Sequence, residues 1–237
     1  MSLAQVQQLV ADEASLADDR PASAGRLQRL CRAAARALPA TGVSINLSVD
    51  DRTPVTVAAS HPATVQLEAL QFTLGEGPFL DAHATRQPVL VADLRSAGRS
   101  RWPIYSPAVQ DYGVRALFAF PLGVGGARLG AMAVYREEVG ALSDLALDQA
   151  MSFAEAATTG LLDAQLAPRE PDLVVHDALD GRYEVFQAQG MVMVQLGVPP
   201  LVAMARMRAR AFTRSQRLSD LADDVLAGRL VFEPDEP

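Results

Sequence analysis

Hydrophobic residues change their period several times along the chain, and each change marks an element. Val6, Leu9 and Val10 recur at helical spacing within residues 4–17, and Leu27, Leu30, Cys31, Ala34 and Leu38 do so within residues 23–38, which predicts two amphipathic helices. After Gly42 the period falls to two. Val43-Ser44-Ile45-Asn46-Leu47-Ser48-Val49 alternates apolar with polar, Asp50-Asp51 supplies turn chemistry, and a second strand is expected near residues 54–60. Further strands are expected at residues 88–93, 114–122 and 128–135, the last two joined by Gly123-Val124-Gly125-Gly126. Short helices are predicted near residues 81–85 and 107–112, and a long amphipathic helix over residues 143–166. The order helix, hairpin, irregular middle, strand, hairpin, helix predicts an α+β domain with a largely antiparallel sheet, not a doubly wound one.

The stretch QAQGMVMVQLGVPP, residues 187–200, carries two periods at once. Met191-Val192-Met193-Val194 alternates like a strand, but a wider window puts Val185, Ala188, Val192 and Leu196 on one helical stripe and Phe186, Gly190 and Met193 on the next. Helix is therefore expected. Gly190 inside it costs about 1 kcal/mol relative to alanine, which predicts that another backbone approaches there. Gly197 is expected to cap the helix, and Pro199-Pro200 to end it while opening another over residues 200–213. That second helix is predicted to turn Leu201, Ala205 and Phe212 inward, widened by Met204, Met207 and Ala211. In a third, Leu218, Leu221, Ala222, Val225 and Leu226 form the stripe, Asp220, Asp223 and Asp224 face outward, and Gly228 ends it. Three short helices would make one small core.

Pro168 and Pro171 interrupt any continuous helix and mark a boundary at residues 167–172. The 237 residues, 49% of them hydrophobic, are those of a globular protein with one large core or two modest ones. No apolar run approaches the length of a membrane span, and the first segment is amphipathic, so a cytosolic protein is expected. Cys31 is the single cysteine, and no Cys/His cluster exists to hold a zinc. There is no G-x-G-x-x-G after a strand and no phosphate-binding loop ending in lysine, since the chain has no lysine. His83 stands near Asp81 without a nucleophile at a recognisable spacing, so no catalytic activity is expected. Glu76 and Asp81 could pair as carboxylates, but Gly-Glu-Gly-Pro reads better as a rigid turn into a helix N-terminus, where aspartate is favourable.

The net charge of −7 argues against indiscriminate nucleic-acid binding, so any such activity needs a local patch. Residues 199–219 supply one: Arg206, Arg208, Arg210, Arg214 and Arg217 occur there without an acidic residue, although residues 175–237 together hold seven arginines against nine acids. Arg206, Arg210 and Arg214 recur every four residues and line one stripe. Guanidinium groups so arranged suit phosphate contacts and stacking on unpaired bases; a solvated helix face has the same pattern. Arg208 falls on the Leu201/Ala205/Phe212 side, where a charge needs an acidic partner or a ligand.

Ala188-Gln189-Gly190-Met191-Val192-Met193, the prolyl break, Ala203 through Arg208 to Ala211-Phe212, then Leu218, Ala222 and Val225 together resemble the ANTAR domain, a three-helix RNA-binding module of bacterial transcription antiterminators. Members commonly carry lysine where this chain has Gln189, which would remove one charge contact with RNA. Leu74-Gly75-Glu76-Gly77-Pro78-Phe79-Leu80-Asp81-Ala82, Arg101-Trp102-Pro103-Ile104-Tyr105 and Gly113-Val114-Arg115 leading to Phe120-Pro121-Leu122 resemble a GAF domain, in the version that actinobacteria place before ANTAR domains. Related domains often have cysteine at the position of Phe79. The resemblance implies an N-terminal helix (1–22), a GAF-like sensor domain (23–166), a linker (167–175), an all-α ANTAR-like domain (176–230) and a frayed tail (231–237).

It further implies a regulator that binds paired hairpins in an mRNA leader through Gln189, Arg206, Arg208, Arg210, Arg214 and Arg217, and so prevents a terminator from forming. Phe72, Phe79, Trp102 and Tyr105 are the expected lining of a sensor pocket for an unknown small molecule, unless they simply fill core. No other cofactor is implied. An upstream kinase is the other implied source of signal, and the long helix with the one expected near Leu173 is the implied homodimer surface. A protein-interaction adaptor, a DNA-binding regulator and an enzyme acting in the GAF-like pocket remain alternative readings.

Overall fold

The computed structural model describes residues 1–14, 22–48, 53–166, 182–214 and 216–233. The Asp50-Asp51 turn, the boundary at Pro168 and Pro171, the helix start near Leu173 and the last four residues of the tail lie outside the described residues. The chain divides into two compact units, Met1–Val175 and His176–Pro237.

In the first unit α1 (Leu3–Ala11) and α2 (Ala22–Ala37) precede the hairpin β1 (Gly42–Ser48) and β2 (Pro54–Ala59). Then come α3 (Pro62–Leu74), α4 (Pro78–Thr85), β3 (Val89–Val91), a π-helical turn (Leu94–Gly98) running into the short α5 (Arg99–Arg101), and α6 (Tyr105–Asp111). The hairpin β4 (Ala116–Val124) and β5 (Ala127–Arg136) and the long α7 (Asp144–Leu166) complete it. The five strands form one antiparallel sheet in the order β2-β1-β5-β4-β3.

Strand residues alternate between two buried layers. Val43, Ile45, Phe118, Phe120, Met132 and Val134 join Val6, Leu27, Leu30 and Phe153 in a core under α1, α2 and α7. Leu117, Ala119, Ala131, Ala133 and Tyr135 turn to the other face, where Phe79, Trp102 and Tyr105 pack. The polar residues of β1 share this fate: Ser44 and Asn46 are fully buried, facing a helix and not water. The sheet is thus flanked by helices on both faces, in an α+β fold.

That covering helix, α3, was not among the elements predicted. Its N-cap is His61, whose Nδ1 accepts from the Ala63 N–H at 3.2 Å, Pro62 opens it, and Gly75 ends it at φ 72°. It escaped notice because its inward residues include Thr64, Glu68 and Gln71 beside Leu67 and Phe72, so no apolar stripe marks the buried face.

The second unit holds α8 (Tyr183–Leu196), α9 (Pro200–Thr213) and α10 (Leu218–Leu226). The apparent strand Met191–Val194 is helix, Gly197 caps it at φ 64° with its N–H on the Met193 carbonyl, and Pro200 opens α9. Val185, Ala188 and Val192 of α8 meet Leu218, Leu221, Ala222 and Val225 of α10, all buried.

Candidate nucleic-acid interface and sensor region

α9 is rotated relative to the expectation. Its buried residues are Ala203, Met204, Met207 and Ala211, whereas Leu201 and Phe212 are 53% and 63% exposed and Ala205 is exposed. The helix is apolar around most of its circumference, so periodicity alone does not select a face. The flexible methionines fill the small core, and the larger phenylalanine stays outside.

The rotation also separates the arginines. Arg206, Arg210 and Arg214 form an exposed row along one flank, and Arg208, half-buried, lies on the other side with Leu201, Ala205 and Phe212. Arg208 therefore does not point into a core. Arg217 precedes α10 and is held by Asp220 in a two-pronged pair, Nε to Oδ2 at 3.0 Å and a terminal nitrogen to Oδ1 at 2.8 Å. The hydrogen bonds from Arg217 hold the Asp220 carboxyl below the usual carboxylate range. Gln216 and Arg229 do the same for Asp224, through contacts of 3.0 and 2.9 Å. Arg210 and Arg214, in contrast, have no carboxylate within 4.0 Å among the described residues, although Arg214 attracts Asp224 from further away.

Gln189 donates from Nε2 to the Pro200 carbonyl at 2.7 Å, tying the middle of α8 to the first turn of α9. The predicted close approach at Gly190 is absent: a Cβ built there meets nothing within 4 Å. Gly190 lies on the floor of an open apolar depression between Gln187, Met191, Val194 and Leu226. Because the space is free and the residue helical, Gly190→Ala is expected to raise the stability of this unit by about 1 kcal/mol. A lowered urea midpoint for the variant would mean that something does crowd the site.

In the first unit the four predicted aromatic residues are buried. Phe79, Trp102 and Tyr105 share one core with Leu67, Ala82 and Val109, and Phe72 is 5% exposed. Trp102 and Tyr105 meet edge to face at 6.0 Å, and Phe79 stacks on His83 at 5.6 Å. Glu76 and Asp81 do not pair. Glu76 Oε1 accepts the N–H groups of Ile104 and Tyr105, each at 2.6 Å, and so receives the start of α6. Asp81, in the first turn of α4, accepts from Arg101 Nε at 2.6 Å and Trp102 Nε1 at 3.2 Å. The two carboxylates fasten residues 101–105, from the end of α5 to the start of α6, onto α4 and the turn before it.

Beside these aromatics lies a polar cluster that the sequence reading missed. Glu68 is fully buried with no cation beside it among the described residues. Its Oε1 accepts from Ser44 Oγ and from Tyr135 OH, the latter at 2.7 Å, and its Oε2 from Gln71 Nε2 at 2.5 Å. Gln71 Oε1 takes the Phe79 N–H at 2.8 Å, and Tyr135 OH lies 3.4 Å from Tyr105 OH. Burial pushes the Glu68 carboxyl above its usual range against the opposing effect of these hydrogen bonds, and burial likewise pushes both phenols up. Nothing in a strand reading SINLS or a helix reading QLEALQ announces the meeting, because Ser44 stands 24 residues before Glu68 and Tyr135 67 after it.

Comparison with known proteins bears on both units. The GAF domain family matches residues 24–161, and the ANTAR domain family matches residues 175–226. No curated protein sequence matches the chain. Among solved structures it is similar to the GAF domain from a phosphoenolpyruvate-protein phosphotransferase of Coxiella burnetii, with 19% identity over 69% of this chain and 92% of that one and a TM-score of 0.54. The GAF domain of the Acinetobacter phosphoenolpyruvate-protein phosphotransferase is similar at 13% identity, with the same coverages and a TM-score of 0.51. Likeness at such identity establishes the fold alone. GAF and ANTAR domains are sensor and regulatory domains, not catalytic ones. No single helix among the described residues is long and apolar enough to cross a membrane. The sheet and its two helical layers, the three-helix unit that follows in sequence and the two family matches agree: the chain belongs to the GAF domain family and carries an ANTAR domain after it.

Proposed function

We propose that this GAF–ANTAR protein is a signal-responsive antiterminator whose ANTAR domain binds stem-loops in nascent mRNA in the cytoplasm and so keeps a terminator from forming. The observation that carries this reading is the division of arginines in the second unit. Arg217 and Arg229 are paired with Asp220 and Asp224, whereas Arg210 and Arg214 continue the exposed row begun by Arg206 with no carboxylate within 4.0 Å of either among the described residues, Arg214 feeling Asp224 only from further off. Guanidinium groups left in that state on one helix flank suit a row of phosphates. On the other side of α9 the exposed Phe212 follows Arg208 by one turn, a pairing suited to stacking on an unpaired loop base. Two hairpins in one leader would be met by a homodimer. The GAF domain would supply the signal, through a small molecule or an upstream kinase.

Gel retardation of a paired-hairpin RNA by the full chain tests this. Arg210→Ala plus Arg214→Ala should weaken binding and reduce the slope of log affinity against log salt by about 2. Binding and slope unchanged in the double variant would remove the phosphate face from this flank. Duplex DNA competing as well as the hairpin would favour a DNA-binding regulator instead.

A further inference from the structure

The hairpin joining β4 to β5 presents almost bare backbone. Gly123 and Gly130 lie where a Cβ would run into the Ala127 and Asn46 carbonyl groups, and Gly125 turns the chain at φ 57°. Opposite this glycine surface stands the C-terminal end of α4. Because no side chain fills the gap, a cavity of about 410 Å³ remains between them, with Pro121 and Leu122 in its wall. That is the size of a small-molecule site.

The charges around it have one sign. Arg86 lines it from the end of α4 and Arg128 from the start of β5, and no acidic residue takes part in the lining. Neither guanidinium lies within 4.0 Å of a carboxylate among the described residues. Arg86 holds a left-handed backbone at φ 58°, a conformation that glycine or asparagine would adopt at lower cost. A favourable interaction with the end of the α4 dipole accounts for a basic residue at position 86. It accounts neither for a second arginine in the same lining nor for the concavity that both line. His83, 1% exposed and stacked on Phe79, adds a buried imidazole to the lining, and Gln87 an amide.

We propose that this cavity binds a small-molecule oxyanion, a phosphate- or carboxylate-bearing metabolite held between the forks of Arg86 and Arg128. Two forks lining one cavity beside bare backbone can each present paired N–H donors to such a group. The site adjoins the aromatic core around Trp102 through His83, but neither Trp102 nor Tyr105 lines it. It lies at the opposite end of α4 from Phe79, whose N–H is held by Gln71, so an occupant would bear on the helix that Asp81 ties to Arg101 and Trp102. The proposal concerns the GAF domain and stands or falls independently of RNA binding.

Thermal unfolding of the full chain with inorganic phosphate, adenosine 5′-monophosphate or succinate tests it. At least one probe should raise the midpoint of the GAF-domain transition by several degrees at saturation. A response to succinate without phosphate would assign the carboxylate, and the reverse the phosphate. Arg86→Gln plus Arg128→Gln should abolish the rise. Arg128→Gln alone, at an exposed strand position with ordinary backbone, should reduce it where the double variant folds poorly. Arg210→Ala plus Arg214→Ala should leave it intact. No rise with any of the three probes, a rise that survives the loss of both cavity arginines, or one lost with Arg210 and Arg214 would overturn the proposal.

Discussion

Glu68→Ala is expected to destabilise the GAF domain by about 3 kcal/mol or more, because it leaves three buried donors without their acceptor at about 1–3 kcal/mol each. Those donors are Ser44 Oγ, Tyr135 OH and Gln71 Nε2. Glu68→Gln keeps the volume and removes the charge, and it should change the pH dependence. The folded carboxyl titrates above its usual range because it is buried. The folded state therefore holds this proton more tightly than the unfolded chain. Its contribution to stability is complete below the unfolded value, near pH 4.3, and is lost as pH rises through the folded value. Denaturant unfolding of the two proteins side by side should give a stability difference, native minus Gln variant, that falls with rising pH in this window and is flat above it. A difference that grows with pH would mean that the hydrogen bonds, and not burial, dominate the carboxyl.

Gly130→Ala is expected to be comparably severe, for a reason found in the backbone. Gly130 sits in β5 between Leu47 of β1 and Leu122 of β4, in the centre of the sheet. A Cβ added there would meet the Asn46 carbonyl oxygen and the Leu47 Cα, so no side-chain rotation can relieve the clash and the two strands must part. A loss of about 3 kcal/mol or more is expected, read as a lower urea midpoint and poor soluble yield. Gly126→Ala, a few residues away where a Cβ meets nothing, should stay within about 0.5 kcal/mol of the parent. Equal midpoints for the two variants would contradict the close approach of β1 and β5.

What the sequence made legible follows from which residues report their own environment. The β4–β5 hairpin was readable because glycines bracket two apolar runs, and α10 because its four buried residues are its apolar ones. α3 was not, since it buries a glutamate and a glutamine whose partners come from β1, β5 and the start of α4. Composition marks such residues as surface until the tertiary contacts are known. α9 was located correctly from its prolines and then turned the wrong way, because alanine and methionine form its buried side while leucine and phenylalanine lie outside. The arginine positions were visible in the chain. Which of them are already paired depended on Asp220 and Asp224, residues of the next helix.

The hydroxyl pair of Tyr105 and Tyr135 is the one link of the buried cluster in which either atom can be the donor. While Glu68 is ionised its Oε1 can only accept, so Tyr135 directs its hydrogen there and Tyr105 must donate to Tyr135. If Glu68 takes up a proton at that oxygen, the contact can run the other way, and the Tyr135 hydrogen turns toward Tyr105. The charge of one carboxyl on α3 is then written as the polarity of a hydroxyl on α6, a reversal in which no atom heavier than hydrogen has to move.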